Sequence, residues 1–329
     1  MQPVAISLAV LMLIPVGVGT TQRLPGTPQT AFRSGVDLVR VTAVVRDEKG
    51  RIVRNLTRND FVVMDAGIRR PIADFSSAET PLSLALLFDV SGSMEVAGKV
   101  EAARRAADHL VSWLKPGKDE AALFTFDAEL RELLTFTKET GALRSALQRL
   151  APYGSTSLHD AIAAAARRVA GRSTGRRAVL VITDGIDTSS HLSAREVSGV
   201  ASSIDVPVYI LAVVPPVDHP GADTAAANAA RSPLAGELVD LASWTGGHLF
   251  VTSAPAHASV AARQIVSELR HQYLIAFESA GTSGWHPLDI QTRDRKLTVR
   301  ARSGYVAGKP GAPSAAAALG WKAGPSPVL

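Results

Sequence analysis

Residues 84–93 read LALLFDVSGS, and this stretch decides the fold. Its first five residues form a continuous apolar run, which is typical of a parallel strand buried on both faces. Asp89, Ser91 and Ser93 follow at once, so one carboxylate and two hydroxyls are expected at a tight turn where the strand ends. Open α/β sheets bind ligands in the crevice at the carboxyl ends of their strands. The stretch therefore predicts a central parallel strand with a binding site at its end.

Apolar strands alternate with helical patterns on the C-terminal side of this stretch. Further strands are predicted at five places, residues 121–126, 133–136, 178–183, 208–214 and 249–251. Apolar residues at helical spacing separate them, as in Val100, Ala103, Ala107, Leu110, Val111 and Leu114. The alternation predicts an α/β domain over residues 81–271: a doubly wound, mostly parallel, Rossmann-like sheet with helices on both faces.

Two short segments flank this region and show the two-residue period of β-strands. In residues 36–78, alternate positions from Val39 to Val45 are apolar, with Val44 the one exception. In residues 272–306 the same alternation returns. Neither segment is large enough to be stable alone. We therefore expect the N- and C-terminal segments to pair into one small flanking β-domain, with the α/β domain inserted between them; two separate small modules are the alternative.

The two ends of the chain differ from its body. Residues 3–21 carry no charge, and their apolar run has the length of a signal-peptide core and is short for a membrane span. Residues 1–21 are predicted to be a cleaved signal peptide, with an uncleaved N-terminal anchor or a wrongly assigned start codon as alternatives. We expect an exported protein, whether periplasmic, in the cell envelope or secreted, that meets a membrane only through such an anchor. Residues 22–35 are predicted to be a linker and residues 307–329 a disordered tail.

The composition excludes several classes of protein. Hydrophobic residues make up 46% of the 329 residues and charged residues 20%, which describes a folded chain. The absence of cysteine excludes disulfides, zinc–thiolate sites and cysteine nucleophiles. The net charge of +5 comes from the C-terminal end of the chain, because six basic residues and no acidic one follow Asp294. No nucleic-acid partner is therefore expected. Arg295 to Arg302 are predicted to form a solvated face, with binding to an acidic lipid or polymer as the alternative.

Two further segments are predicted to supply oxygen ligands at the same edge of the sheet. Thr183-Asp184-Gly185 closes the strand at 178–183 and adds a second carboxylate, and Gly154-Ser155-Thr156-Ser157 adds a hydroxyl at the start of a helix. Such hard oxygen donors suit Mg²⁺ rather than zinc or copper, with Mn²⁺ or Ca²⁺ as alternative ions. The simpler interpretation is that the serines at 91 and 93 cap the helix that follows them.

In these residues the sequence resembles the von Willebrand factor A family. Asp89, Ser91 and Ser93 match the D-x-S-x-S element of that family's metal-ion-dependent adhesion site, Thr156 matches its threonine, and Asp184 matches its second aspartate. All five positions are in family order, and the similarity covers about residues 81–271. The resemblance implies a domain that binds a protein partner, whose Asp or Glu side chain completes the coordination of the metal.

A second resemblance covers nearly the whole chain. It is carried by NLTRNDF at residues 55–61, MDAG at 64–67, LHDAI at 158–162, RHQYLI at 270–275 and RARSGY at 300–305, which resemble segments of the acidobacterial VWFA-related proteins. That family is largely uncharacterised, so the resemblance supports the expected domain arrangement and says little about function. Ser155 is a departure, because a Gly-Gly pair is common at the place of Gly154-Ser155.

Motifs for catalysis are absent from the sequence. It has no G-x-S-x-G element, and the segment from Gly92 to Val100 is one residue too long for a phosphate loop and has valine where Ser or Thr must meet Mg²⁺. No lysine, arginine or general base is recognisably placed beside the predicted metal site, so no enzyme is expected. Asp160 is interpreted as a helix-dipole residue, with a supporting role near the metal as the alternative, and Asp187 as a solvated loop residue.

The sequence therefore predicts an exported, non-enzymatic interaction protein with a Mg²⁺-dependent adhesion-type domain. Two other functions stay open. One is a structural or assembly factor of the cell envelope whose metal ion only stabilises the loops. The other, less favoured, is a Mg²⁺-dependent phosphohydrolase.

Overall fold

The computed structural model describes residues 38–173, 176–214, 236–253, 255–279 and 281–307. The predicted signal segment or anchor, the predicted linker and residues 308–329 of the predicted tail lie outside the described residues. Within the described ranges, no helix combines the length and the apolar character needed to cross a membrane.

A six-stranded sheet lies at the centre of the molecule. Its strands are β5 (Leu82–Asp89), β6 (Glu120–Phe126), β7 (Leu130–Thr137), β8 (Arg176–Thr183), β9 (Val208–Val213) and β10 (Leu249–Thr252). The order across the sheet is β10-β9-β8-β5-β6-β7, and every neighbouring pair is parallel except β6 and β7. Strand β5 is buried at every position, as its unbroken apolar run predicts.

Helices cover both faces of this sheet. They are α1 (Lys99–Trp113), α2 (Thr140–Leu147), α3 (Leu158–Ala170), α4 (Ala194–Ser203), α5 (Glu237–Trp244) and α6 (Pro255–Arg270). Because side chains alternate along a strand, Leu84 and Leu86 pack with α1, α2 and α6 on one face, whereas Ala85 and Leu87 pack with α3, α4 and α5 on the other. The predicted doubly wound α/β fold is confirmed.

Two antiparallel sheets form the flanking β-structure. Four strands come from the N-terminal segment, β1 (Leu38–Arg46), β2 (Phe61–Asp65), β3 (Ile68–Arg70) and β4 (Ile72–Ser76), and four from the C-terminal segment, β11 (Tyr273–Glu278), β12 (Gly284–Thr292), β13 (Thr298–Ala301) and β14 (Gly304–Ala307). The sheet orders are β13-β1-β11-β4 and β14-β12-β2-β3. Each sheet combines strands of both segments, so the predicted pairing of the segments is confirmed; the exact domain boundaries stay predictions.

A buried ion cluster joins the flanking sheets to the α/β domain. The carboxylate of Glu268 on α6 is fully buried and pairs with Arg46 of β1 and with Arg300 of β13. Burial raises the pKa of this carboxyl, but the positive charges of Arg300 and Arg46 outweigh burial and hold the pKa below its usual 4.5. The cluster therefore places two positive charges of the β-structure around one negative charge of the α/β domain.

Two of the C-terminal basic residues, Arg300 and Arg302, are part of this joint. The guanidinium of Arg302 is buried and donates to the carbonyl oxygens of Ser202 in α4 and Arg40 in β1. Arg300 donates to Glu268 and to the carbonyl oxygen of Gly246. The prediction of a solvated basic face is therefore wrong for Arg300 and Arg302, because acceptors of the protein itself, on the α/β domain and on β1, bind their guanidinium groups.

Candidate metal site

Three loops meet at the carboxyl edge of the central sheet. One follows β5, one precedes α3 and one follows β8. Backbone hydrogen bonds join the first two: Gly92 N–H donates to Gly154 O at 2.9 Å, and Tyr153 N–H donates to Val90 O at 2.5 Å. Thr188 N–H donates to Thr156 O at 2.9 Å and so joins the third loop to the second. The five predicted ligand residues therefore lie on loops that are bonded to one another.

Gly154 has a conformation that few other residues adopt. Its φ is +94°, and a Cβ at this position would lie 3.4 Å from the Cβ of Asp127. Glycine tolerates such a φ because it has no side chain. The following residue, Ser155, accepts a hydrogen bond from the hydroxyl of Ser189 at 3.2 Å. Serine at this position therefore adds a contact to the third loop.

Asp89 is fully buried and its two carboxylate oxygens are fixed. Oδ1 accepts from Ser91 N–H at 2.8 Å, and Oδ2 accepts from the hydroxyl of Thr183 at 2.5 Å. Burial raises the pKa of Asp89 to about 6, although these hydrogen bonds favour the ionised form. Thr183 was not singled out from the sequence as a site residue, although it stands directly before Asp184.

The two serines of the first loop lie side by side. The hydroxyl oxygens of Ser91 and Ser93 are 3.1 Å apart. Ser91 precedes a 3₁₀ turn, Gly92–Gly98, but within the described chain its side chain makes no capping bond, and α1 begins after Gly98. The capping interpretation therefore does not account for the Ser91 hydroxyl, whose described partner is the Ser93 hydroxyl next to Asp89.

Asp184 forms an ion pair that the sequence did not predict. Its Oδ2 lies 2.6 Å from Nζ of Lys99, the first residue of α1, and its Oδ1 accepts from Ile186 N–H at 3.4 Å. The expectation that no lysine lies beside the site is therefore wrong. The approach depends on two successive residues with positive φ, Ala97 at +57° and Gly98 at +70°, which redirect the chain ahead of α1.

Asp127 places a third carboxylate at the same edge, but its oxygens already accept hydrogen bonds from the protein. Asp127 follows β6 and accepts from Arg131 at 2.7 Å and from Glu129 N–H at 2.9 Å. Burial raises the pKa of Asp127, but these two donors outweigh it and lower the pKa overall. Its backbone carbonyl accepts from Ser157 N–H at 2.7 Å and so fixes the start of α3.

Asp160 and Asp187 hold the third loop to α3. Asp187 accepts from His159 N–H at 3.0 Å and from Ser190 N–H at 3.1 Å, so the interpretation of Asp187 as a solvated loop residue is wrong. Asp160 lies in the first turn of α3, as expected, and accepts from Leu192 N–H at 2.9 Å. Both carboxylates satisfy backbone donors, which is a structural function.

The five predicted ligand residues carry the type of donor that a hard divalent cation prefers. Two carboxylates and three hydroxyls are available, from Asp89, Asp184, Ser91, Ser93 and Thr156, and all of them are oxygen donors. No group of three or more His, Cys, Asp or Glu side chains arranged to hold a metal lies among the residues that the structure describes. The site would therefore depend on hydroxyls beside only two carboxylates.

Comparison with known proteins gives one family match. Residues 84–186 match the model of the von Willebrand factor type A domain. No curated protein matches the chain.

Several solved structures are similar to parts of the chain. Protein BatB from Bacteroides thetaiotaomicron is 20% identical over 57% of this chain and 98% of its own, with a TM-score of 0.46. Proximal thread matrix protein 1 from the mussel byssus, determined with a zinc-occupied MIDAS motif, is 18% identical over 62% of this chain and 49% of its own, with a TM-score of 0.48. A von Willebrand factor type A protein from Catenulispora acidiphila is 14% identical over 84% of this chain and 75% of its own, with a TM-score of 0.47.

Proposed function

We propose, from the premise that this chain contains a von Willebrand factor type A domain, that it binds a partner protein through a divalent metal ion, with Mg²⁺ as the favoured ion. One observation carries the proposal: three loops bonded to one another bring two carboxylates and three hydroxyls to the carboxyl edge of a parallel sheet. That edge is where open α/β sheets bind their ligands.

The residues of the site have two kinds of function in this proposal. Asp89 and Asp184 supply negative charge, while Ser91, Ser93 and Thr156 supply neutral oxygens. Two carboxylates balance a divalent charge without exceeding it. When bound, the metal ion supplies a positively charged acceptor for an Asp or Glu oxygen of the partner. Thr183 and the Ser91 N–H keep the Asp89 carboxylate in a fixed orientation.

Exposed apolar side chains around the site favour binding over turnover. Tyr153, Val96 and Ile186 are 82%, 63% and 46% exposed. Each belongs to a different one of the three loops. A partner that covers the site would bury these apolar groups together with the polar centre. We therefore propose a non-enzymatic interaction protein.

Export is part of the same proposal. The proposed export rests on the uncharged apolar segment at residues 3–21. The exported protein would lie in the periplasm, in the cell envelope or outside the cell. Cell fractionation combined with N-terminal sequencing of the mature protein tests it. A protein found in the cytoplasm with its original N-terminus would contradict it.

Affinity capture from a cell-envelope extract tests the metal-bridged interaction. The bait would be residues 22–329 in Mg²⁺, the same bait in EDTA, and Asp184→Ala in Mg²⁺. Asp108→Asn serves as a control, because Asp108 forms an exposed ion pair with Arg144 on α2. We expect one partner to bind only wild type and the control in Mg²⁺, and to lose binding when its carboxyl groups are amidated.

Two outcomes would count against the proposal. A partner retained equally by all baits would contradict the metal bridge and place the interaction elsewhere on the chain. A clear melting shift with Mg²⁺ but no metal-dependent partner would favour a structural or assembly function.

A further inference from the structure

Lys99 occupies one carboxylate oxygen of Asp184, a residue of the proposed metal site. Its Nζ lies 2.6 Å from Oδ2 of Asp184, and the two side chains are 11% and 2% exposed. The pair is therefore shielded from bulk water. Among the five proposed ligand residues, Asp184 is the one whose carboxylate the structure pairs with a cationic side chain.

The place of Lys99 in the fold makes this contact costly. Lys99 is the first residue of α1, and the positive end of the helix dipole disfavours a cation there. Removing an ammonium group from water adds a further cost. The negative charge of the Asp184 carboxylate offsets both costs. Contact between Lys99 and Asp184 is therefore favoured while no other cation competes for the carboxylate.

We propose that Lys99 is a built-in counter-cation that competes with the divalent ion for Asp184. The inference rests on the proposed metal site. An ion that binds Asp184 must first displace the ammonium group, which then returns to solvent near the mouth of the site. Lys99 thus stabilises the metal-free loops and lowers the affinity of the site, so that the divalent ion binds only when it is abundant.

Calorimetric titration with Mn²⁺ alone, followed by thermal melting, tests the proposal. The variants are Lys99→Met, which keeps the length of the side chain without its charge, and Lys99→Arg, which keeps the charge. Lys115→Met is the matched control, because Lys115 forms an exposed ion pair with Glu79 at 2.5 Å. Asp184→Asn removes the contested carboxylate.

The expected results separate charge from packing. Lys99→Met should bind Mn²⁺ at least ~10-fold more tightly than wild type, because the ion then meets Asp184 without a competing positive charge beside the carboxylate. Lys99→Arg and Lys115→Met should stay within about threefold of wild type, a difference of roughly 0.7 kcal/mol. In EDTA, Lys99→Met should melt below wild type, and saturating Mn²⁺ should remove or reverse that difference.

The titration distinguishes failure of the inference from failure of the proposed site. Equal Mn²⁺ affinity in wild type and Lys99→Met would overturn the competition while leaving the metal site in place. Absence of Mn²⁺ binding in both proteins, when both melt cooperatively, would overturn the metal site and the competition with it.

Discussion

Replacing Glu268 by Gln tests the ion cluster that joins the β-structure to the α/β domain. The Glu268 carboxylate is fully buried, whereas the side chains of Arg46 and Arg300 are 27% and 19% exposed. The substitution keeps the shape of the side chain but leaves two cations facing a neutral amide. Removing one partner from a buried ion pair costs about 3–5 kcal/mol. Because both arginines retain some solvent, we expect the lower end, about 3 kcal/mol.

The cost should depend on pH in a defined direction. The charges of Arg300 and Arg46 outweigh burial and lower the pKa of Glu268 in the folded state. A carboxyl with a lowered pKa stabilises the fold at pH values above its unfolded pKa, and this contribution is lost as the pH falls through the folded-state value. The difference between wild type and Glu268→Gln should therefore be full at pH 7 and shrink below about pH 4.5.

Urea denaturation at pH 7 and at successively lower pH values measures this effect. A loss of about 3 kcal/mol corresponds to a fall in Tm of roughly 4–6 °C for a protein of this size, given an unfolding entropy of about 2 cal/mol/K per residue. Asp108→Asn, which breaks the exposed pair with Arg144, should cost less than about 1 kcal/mol. A loss below about 1 kcal/mol for Glu268→Gln, or a loss independent of pH, would show that the buried carboxylate does not stabilise the fold through its charge.

Three further substitutions test the loops of the site. Thr183→Val removes the hydroxyl that donates to Asp89 at 2.5 Å and should weaken Mn²⁺ binding by about 10–100-fold while the fold is kept; unchanged affinity in titration would contradict this. Gly154→Ala forces a side chain into a φ of +94° and should lower the free energy of unfolding by about 1–3 kcal/mol in urea denaturation, and a neutral result would show that the loop relaxes freely. Asp187→Ala removes one of the two acceptors of His159 N–H, the other being the Ser190 hydroxyl, and should cost about 1 kcal/mol in the same assay without changing Mn²⁺ affinity; a large loss of affinity would instead make Asp187 a ligand.

The hydrophobic pattern predicts most of the fold. An apolar run such as that of β5 is buried on both faces, so its sequence alone distinguishes it from a surface strand. Pairing of the two β-segments was predicted because neither could bury a core alone. Strands β3 and β14 are only three and four residues long, so each carries too short an alternation to be identified from the sequence.

The electrostatic details of the fold are not predictable in this way. Arg300 and Arg302 suggested a solvated face, because charges on a strand are usually exposed. Their partners lie on other elements: Glu268 is 32 residues from Arg300, and Ser202 is 100 residues from Arg302. Only the packing of the β-structure against the α/β domain brings these groups together.

In the candidate site, too, the sequence predicts some features and not others. Asp89, Ser91 and Ser93 are close in sequence, and Asp184 follows a strand that neighbours β5, so the shared sheet edge could be inferred. The contact of Lys99 with Asp184 could not be inferred from the sequence. It depends on the positive φ values of Ala97 and Gly98, which the hydrophobic pattern does not indicate.

Diffraction data at the manganese absorption edge, from crystals of the protein grown with Mn²⁺, test the central claim most directly. We expect one strong anomalous peak at the carboxyl edge of the central sheet, from an ion that oxygens of the five proposed residues ligate at about 2.2 Å. Lys99 should have moved away from Asp184. A peak elsewhere, or no peak at this edge while Lys99 still contacts Asp184, would contradict the claim that these loops hold a divalent cation.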